Sequence, residues 1–208
     1  MKKLIIASLS LFLLINVNAQ YDPSALAVLD AMSSKYKNVE AFKASFSQQL
    51  TNESAGLDET ISGNIAVKGD MYVLDVAGQR IFNDGTDMYN YNPEIREVTI
   101  SSYDPEDSEI TIGNIYEIYK NGFKYALSET NASGDRLIEL DPESRDKSYF
   151  KIRMTINAQD ELKSFTVFER TGNKYVYSIN AFTPSDLNDS YFTFDVAKYP
   201  NVEVIDFR

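Results

Sequence analysis

The chain has 208 residues and contains no cysteine, no histidine and no tryptophan. Without cysteine there is no disulfide, no thiolate nucleophile and no site for a bacterial lipid anchor. Without histidine there is no Ser-His-Asp or Cys-His catalysis and no His-ligated metal. An enzyme on this chain would have only carboxylates, lysine, tyrosine and serine to work with. Basic residues are also scarce: 20 Lys and Arg face 31 Asp and Glu, for a net charge of −11. That acidity disfavours nucleic acid and anionic membrane surfaces as partners. Proline (6) and glycine (9) are too few and too scattered for a flexible linker, so one domain is expected.

What the chain does have begins at its N-terminus. Lys2 and Lys3 precede an apolar run from Leu4 to Ile15, broken only by Ser8 and Ser10, and Val17-Asn18-Ala19 follows. Such a run is short for a membrane span and typical of a secretory signal peptide. Residues 1–19 are therefore expected to be cleaved after Ala19, with a periplasmic domain at 20–208. Loss of Lys2 and Lys3 would take the charge from −11 to −13.

Residues 24–37 (SALAVLDAMSSKYK) place Leu26, Leu29, Met32 and Tyr36 at helical spacing, with Pro23 just ahead. The pattern then switches to period 2. In FKASFSQ, Phe42, Ala44, Phe46 and Gln48 alternate with Lys43, Ser45 and Ser47, as on a half-buried strand. Strands are predicted at 41–51, 59–68, 71–77, 79–83, 86–91 and 95–102. Further strands are predicted at 123–129, 136–141, 149–157, 162–170, 174–182, 191–194 and 202–207. Turn signals such as Gly69-Asp70, Asp84-Gly85 and Asn92-Pro93 separate them. Ile115, Tyr116, Ile118 and Tyr119 predict a second helix over 108–120, after an acidic loop at Asp104-Pro105-Glu106-Asp107. The composite is mainly β, an antiparallel barrel or sandwich with two helices.

Motifs that could carry chemistry are thin. Asn83-Asp84-Gly85-Thr86-Asp87 crowds oxygen atoms as a calcium loop would, but a tight hairpin turn explains the same residues. No carboxylate pair stands out for glycoside hydrolysis. The 14 Tyr and 12 Phe are more telling. They fit either ordinary packing or the lining of a large apolar cavity.

Several segments, in order, resemble the LolA family of periplasmic lipoprotein carriers. FKASFSQ resembles its Phe-x-Ala-x-Phe-x-Gln strand, and Gly63-Asn64-Ile65-Ala66-Val67-Lys68 its Gly-x-Leu-x-Val-Lys strand. Asn83-Asp84-Gly85 through Tyr89-Asn90-Tyr91-Asn92-Pro93 is similar to its Asp-Gly hairpin, with Met88-Tyr89 in place of Leu-Trp. Leu137 to Pro142, Phe192-Thr193-Phe194 and Tyr199 to Val204 resemble its later strands. The resemblance implies an incomplete antiparallel β-barrel with an α-helical lid over a hydrophobic cavity. It implies a carrier that takes acylated lipoproteins from an inner-membrane lipoprotein-releasing ABC transporter to an outer-membrane acceptor, without catalysis, cofactor or metal. Two positions depart from the pattern: the hairpin lacks the indole, and the family's best-studied branch has a lid-holding Arg where Gly69 follows Lys68.

The expected acyl-chain cavity is Phe46, Leu50, Ile65, Val67, Tyr72, Leu74, Met88 and Tyr91. The expected lid is Leu26, Leu29 and Met32 from the first helix with Ile115, Ile118 and Tyr119 from the second. A monomer is expected. Competing readings are a shuttle for a free lipid or glycolipid, an exported two-carboxylate hydrolase, and a structural module presenting an acidic face.

Overall fold

The computed structural model describes residues 21–104, 110 and 112–208. Among these, one α-helix, α1 (Pro23–Lys37), precedes twelve strands. They are β1 (Phe42–Asn52), β2 (Leu57–Lys68), β3 (Met71–Val76), β4 (Gln79–Asn83), β5 (Asp87–Asn92) and β6 (Glu97–Ser102). Then come β7 (Phe123–Thr130), β8 (Arg136–Pro142), β9 (Tyr149–Ile156), β10 (Leu162–Glu169), β11 (Lys174–Pro184) and β12 (Glu203–Asp206). All twelve form one sheet in the order β12-β6-β5-β4-β3-β2-β1-β11-β10-β9-β8-β7. Neighbours run antiparallel except β12, which runs parallel to β6. β12 and β7 remain separate edges, so the barrel is incomplete.

Helix α1 starts where its sequence says it should. Asp22 caps it, accepting from the Ser24 amide at 2.8 Å, and Pro23 sits in the first turn. Lys35 and Lys37 sit in the last turn, against the negative end of the helix dipole. Ala25, Val28, Leu29, Met32 and Tyr36 form its buried stripe. Both ends are stitched to the sheet. Asp22 also accepts from the Leu127 amide of β7 (3.0 Å), and Lys35 pairs with Glu161 (2.7 Å). The Leu127 and Ser24 amides hold the Asp22 carboxyl below its ordinary value of 3.8. Its contribution is therefore present above that pH and lost as pH falls through the lowered value. Asp22→Ala is expected to cost about 0.5–2 kcal/mol, read as a shift in the urea midpoint at pH 7. The difference from the unmodified chain should shrink below the Asp22 transition.

The side of the sheet that carries α1 is the inner face. Ile138, Leu140, Ile152, Met154, Ile156 and Phe165 lie there fully buried, and Phe42, Ala44 and Phe46 continue the layer along β1. A register shift after Ser45 leaves Asn180 of β11 unpaired, a bulge that bends the sheet at its middle.

The apolar burial then changes sides. On β2 to β6 the outer face buries Ala66, Val73, Phe82 and Val98 under Phe192 and Phe194 from the segment before β12. Phe194 sits against the rings of Phe82, Tyr89, Tyr91 and Tyr199, with centroids 4.4–5.9 Å away. The strand predicted at 191–194 is corrected here. The segment makes a 3-10 turn at Asp189–Tyr191 and runs on without a strand partner. Its period-2 pattern is real, because Phe192 and Phe194 bury while Thr193 stays exposed. Those rings dock on a finished sheet rather than extend one.

The helix predicted over 108–120 is also corrected. Residues 105–109, which include most of the acidic loop, and residue 111 lie outside the described residues. Residues 112–117 are turns, and Ile118–Lys120 is a single 3-10 turn. Gly113, Asn114 and three Ile are poor helix formers, and the turns bury Ile112, Ile115, Tyr116 and Tyr119 without a helix.

Candidate functional site

Between the flap of residues 112–120 and the middle of the sheet lies a hollow of about 190 Å³. Its walls are Phe46 and Gln48 of β1, Ile65 of β2, Leu74 and Val76 of β3, and Tyr177 of β11. Ile110 and Ile112 close it from the flap side. The lining is mainly apolar, with Gln48 and Tyr177 supplying its polar groups. The Phe46 ring can lie low in the wall because residue 63 is glycine: a Cβ there would meet the ring at 2.6 Å.

Of the eight residues expected to line a cavity, Phe46, Ile65 and Leu74 line this one. Val67 and Tyr72 pack on the same inner face beside it. Met88 lies further along that face, its sulfur 3.8 Å from the Tyr72 hydroxyl. Leu50 is half-buried toward the end of β1, opposite Tyr175. Tyr91 is on the other side, packed on Phe194 and Tyr199 at 5.6 and 4.7 Å. Parity explains it, since residues 88 and 91 of one strand cannot share a face. Ile110 and Ile112 on the flap side were missed, and so were Gln48, Val76 and Tyr177 of the sheet. The same parity marks these last three, from Phe46, Leu74 and Tyr175.

The two parts of the expected lid differ in kind. Leu29 and Met32 of α1 are fully buried in the core, and Leu26 packs on its margin. Ile115 and Tyr119 of the flap are buried, and Ile118 partly so. The flap is docked on α1 by discrete contacts. The Tyr119 hydroxyl donates to Asp30 at 2.6 Å, and the Tyr36 and Tyr116 rings stack at 3.6 Å. Glu117 pairs with Lys37 and Lys120, each at 2.7 Å. Burial above all, with the Asp30 contact, pushes the Tyr119 pKa up, so the hydroxyl stays protonated and donates.

Lys68 has a different task. It reaches Asp189 at 3.0 Å, Glu40 at 3.3 Å and the Leu187 carbonyl at 3.0 Å. It therefore ties down the outer-face segment, not the flap. The crowded oxygens at 83–87 serve the hairpin: Asp84 accepts from the Thr86 and Asp87 amides. Among the described residues, no three metal-binding side chains gather.

A mainly β open sheet with an apolar inner hollow can enclose greasy chains. The sequence pattern of the family described as outer membrane lipoprotein carrier protein LolA matches residues 37–195. The chain belongs to the LolA family. An outer-membrane lipoprotein carrier protein of Yersinia pestis bv. Antiqua (strain Angola) is 24% identical over 202 residues. That match covers 95% of this chain and 96% of the relative. The protein of the same description from Haemophilus ducreyi is 24% identical over 180 residues, covering 84% and 82%. Among solved structures, an uncharacterised conserved protein of Thermus thermophilus shares the fold, with TM-score 0.58 and 11% identity. The match covers 88% of this chain and 99% of that one. In this LolA-family chain Gly69, after Lys68, holds the turn before β3 at φ 55°, and the flap contacts α1 through Asp30 and Lys37.

Proposed function

We propose that this LolA-family protein is a periplasmic carrier whose inner hollow receives the acyl chains of lipoproteins. The observation that carries the reading is the apolar hollow under a separately docked flap. An acyl chain leaving a bilayer loses about 0.8 kcal/mol per CH₂, so a carrier must offer comparable apolar surface. The hollow, at about 190 Å³, is smaller than the roughly 300–1,000 Å³ of ordinary ligand pockets. Cargo therefore enters by displacing the flap. Ile110, Ile112 and Ile115 give up apolar contacts that the acyl chains restore. That exchange keeps binding reversible, as unloading requires.

In this reading no catalytic group takes part. Phe46, Ile65, Val67, Tyr72 and Leu74 form the acyl wall, extended by Met88 toward β5 and by Leu50 at the rim. Cleavage after Ala19 starts the mature monomer at Gln20. An inner-membrane lipoprotein-releasing ABC transporter loads it, and an outer-membrane acceptor receives the cargo.

Purification of the mature chain from its own periplasm, followed by mass spectrometry, tests the cargo. Acylated lipoproteins in about one-to-one amount are expected from a single hollow. Free lipid or glycolipid without lipoprotein would replace the cargo and keep the scaffold.

The flap has its own test. Asp30→Ala leaves the buried Tyr119 hydroxyl without its acceptor and weakens the closed state by about 1–2 kcal/mol. Apparent affinity for a fluorescent acyl probe should then tighten roughly five- to thirtyfold. Weaker binding would mean that the docked flap is part of the loaded site.

A further inference from the structure

Charge is distributed unevenly along the sequence. Residues 145–174 hold seven Lys and Arg against four Asp and Glu, whereas the rest of the chain is strongly acidic. The fold gathers most of these cations on the outer face of β9 and β10 and on the adjoining loops. Arg153 lies over the Phe168 ring at 5.4 Å, and Phe150 packs on Phe168 at 6.2 Å. The Arg170 side chain donates to the Lys147 carbonyl at 3.2 Å, and Lys174 lies opposite Phe168 in the sheet. Lys151 and Arg153 meet Glu139, and Asp141 stands 4.0 Å from Lys151, so these two cations are balanced and the excess lies in the adjoining loops. Arg145, Lys147, Arg170 and Lys174 have no ion-pair partner among the described residues. Phe150 is 43% exposed in the middle of this patch.

We propose that this face is a membrane-docking surface for bilayers with anionic headgroups. Exposed aromatic rings flanked by cations suit the headgroup layer, where the rings enter the boundary and the cations meet lipid charge. The patch keeps Asp146 and Glu169 among its cations, and screening over about 8 Å at physiological ionic strength lets its net positive charge act apart from the acidic surface farther off. The acidic remainder then turns away from the bilayer and orients the molecule. The patch also adjoins the hollow's end of the sheet, because the β10–β11 turn lies beside the end of β1. Gly172 stands next to the side chain of Asn52, and Lys174 pairs with Thr51. A molecule docked by this face holds the rim near Leu50 and Tyr175 close to the lipid. Overall acidity disfavours such a partner for the whole molecule; the local arrangement reverses that at one place.

Flotation of the mature chain with vesicles tests the proposal. Vesicles of phosphatidylcholine alone are compared with vesicles that also contain phosphatidylglycerol, at low and high salt. The chain should float with the anionic vesicles only, and high salt should release it. The triple variant K147E/R170E/K174E should bind them at least about tenfold more weakly, and Phe150→Ser should weaken binding without changing the preference for anionic lipid. Binding of the acyl probe by these variants should match the unmodified chain, so failure here is separable from failure of the carrier reading. Equal flotation on both vesicle types, or full binding by the triple variant, would overturn the proposal. So would absent flotation combined with slower loading of the triple variant from donor proteoliposomes, which would assign the face to a protein partner.

Discussion

Gly63→Ala should lower Tm and close the hollow in one step. A Cβ at residue 63 would stand 2.6 Å from the Phe46 ring and 2.8 Å from the Asp75 carbonyl oxygen. The ring could swing away, but only into the space between Ile65 and Tyr177. The carbonyl belongs to the neighbouring strand and can yield only by moving backbone. Overpacking of this kind costs about 1–3 kcal/mol, and a domain of this length loses about 2–4 °C of Tm per kcal/mol. Calorimetry and acyl-probe titration on the same sample read both effects. The double variant Gly63→Ala/Phe46→Ala should recover probe binding, because the displaced ring is gone. A folded double variant that still fails to bind the probe would place the acyl chains elsewhere.

Phe194→Ala should be among the most damaging single substitutions outside the inner core. Its ring is buried against Phe82, Tyr89, Tyr91 and Tyr199. Truncation of a buried Phe costs about 3–5 kcal/mol, and here it also frees the segment that shields the outer face of β2 to β6. Limited proteolysis should cut between residues 185 and 202 in the variant and not in the unmodified chain. Tyr91→Ala should act in the same direction more mildly. Neither should change affinity for an acyl probe while the protein remains folded. A loss of probe affinity in Tyr91→Ala at unchanged fold would return that ring to the cargo site.

The sheet was legible in the sequence because nearly every strand has one buried face, and alternation reports a buried face directly. Helix α1 was legible for a similar reason, with Pro23 marking its start. The flap was not. Ile115, Tyr116, Ile118 and Tyr119 repeat as a helical stripe would, yet successive turns around Gly113 and Asn114 bury the same side chains. Spacing reports which residues go inside, not which backbone takes them there. Phe192 and Phe194 mislead in the same way, alternating like a strand while docking as a strap. The candidate site was half legible. Parity separates Leu74 and Val76 from Val73, but it cannot say which set faces the hollow, because β7 to β11 are buried from the inside, β4 to β6 mainly from the outside, and β2 and β3 from both sides. That side change comes from a segment more than eighty residues later in the chain.

β2 belongs to both layers at once. Ile65 and Val67 face the cluster beneath α1, while Ala66 between them faces the cluster beneath Phe192 and Phe194. Lys68, at the end of the same strand, pins the strap through Leu187 and Asp189. Among the described residues, the wall of the hollow is thus clamped from behind by a layer that shares no side chain with the flap's cluster. In the proposed loading cycle, traffic through the front of the molecule leaves its back under constant load: the container is opened and refilled without the wall itself having to refold.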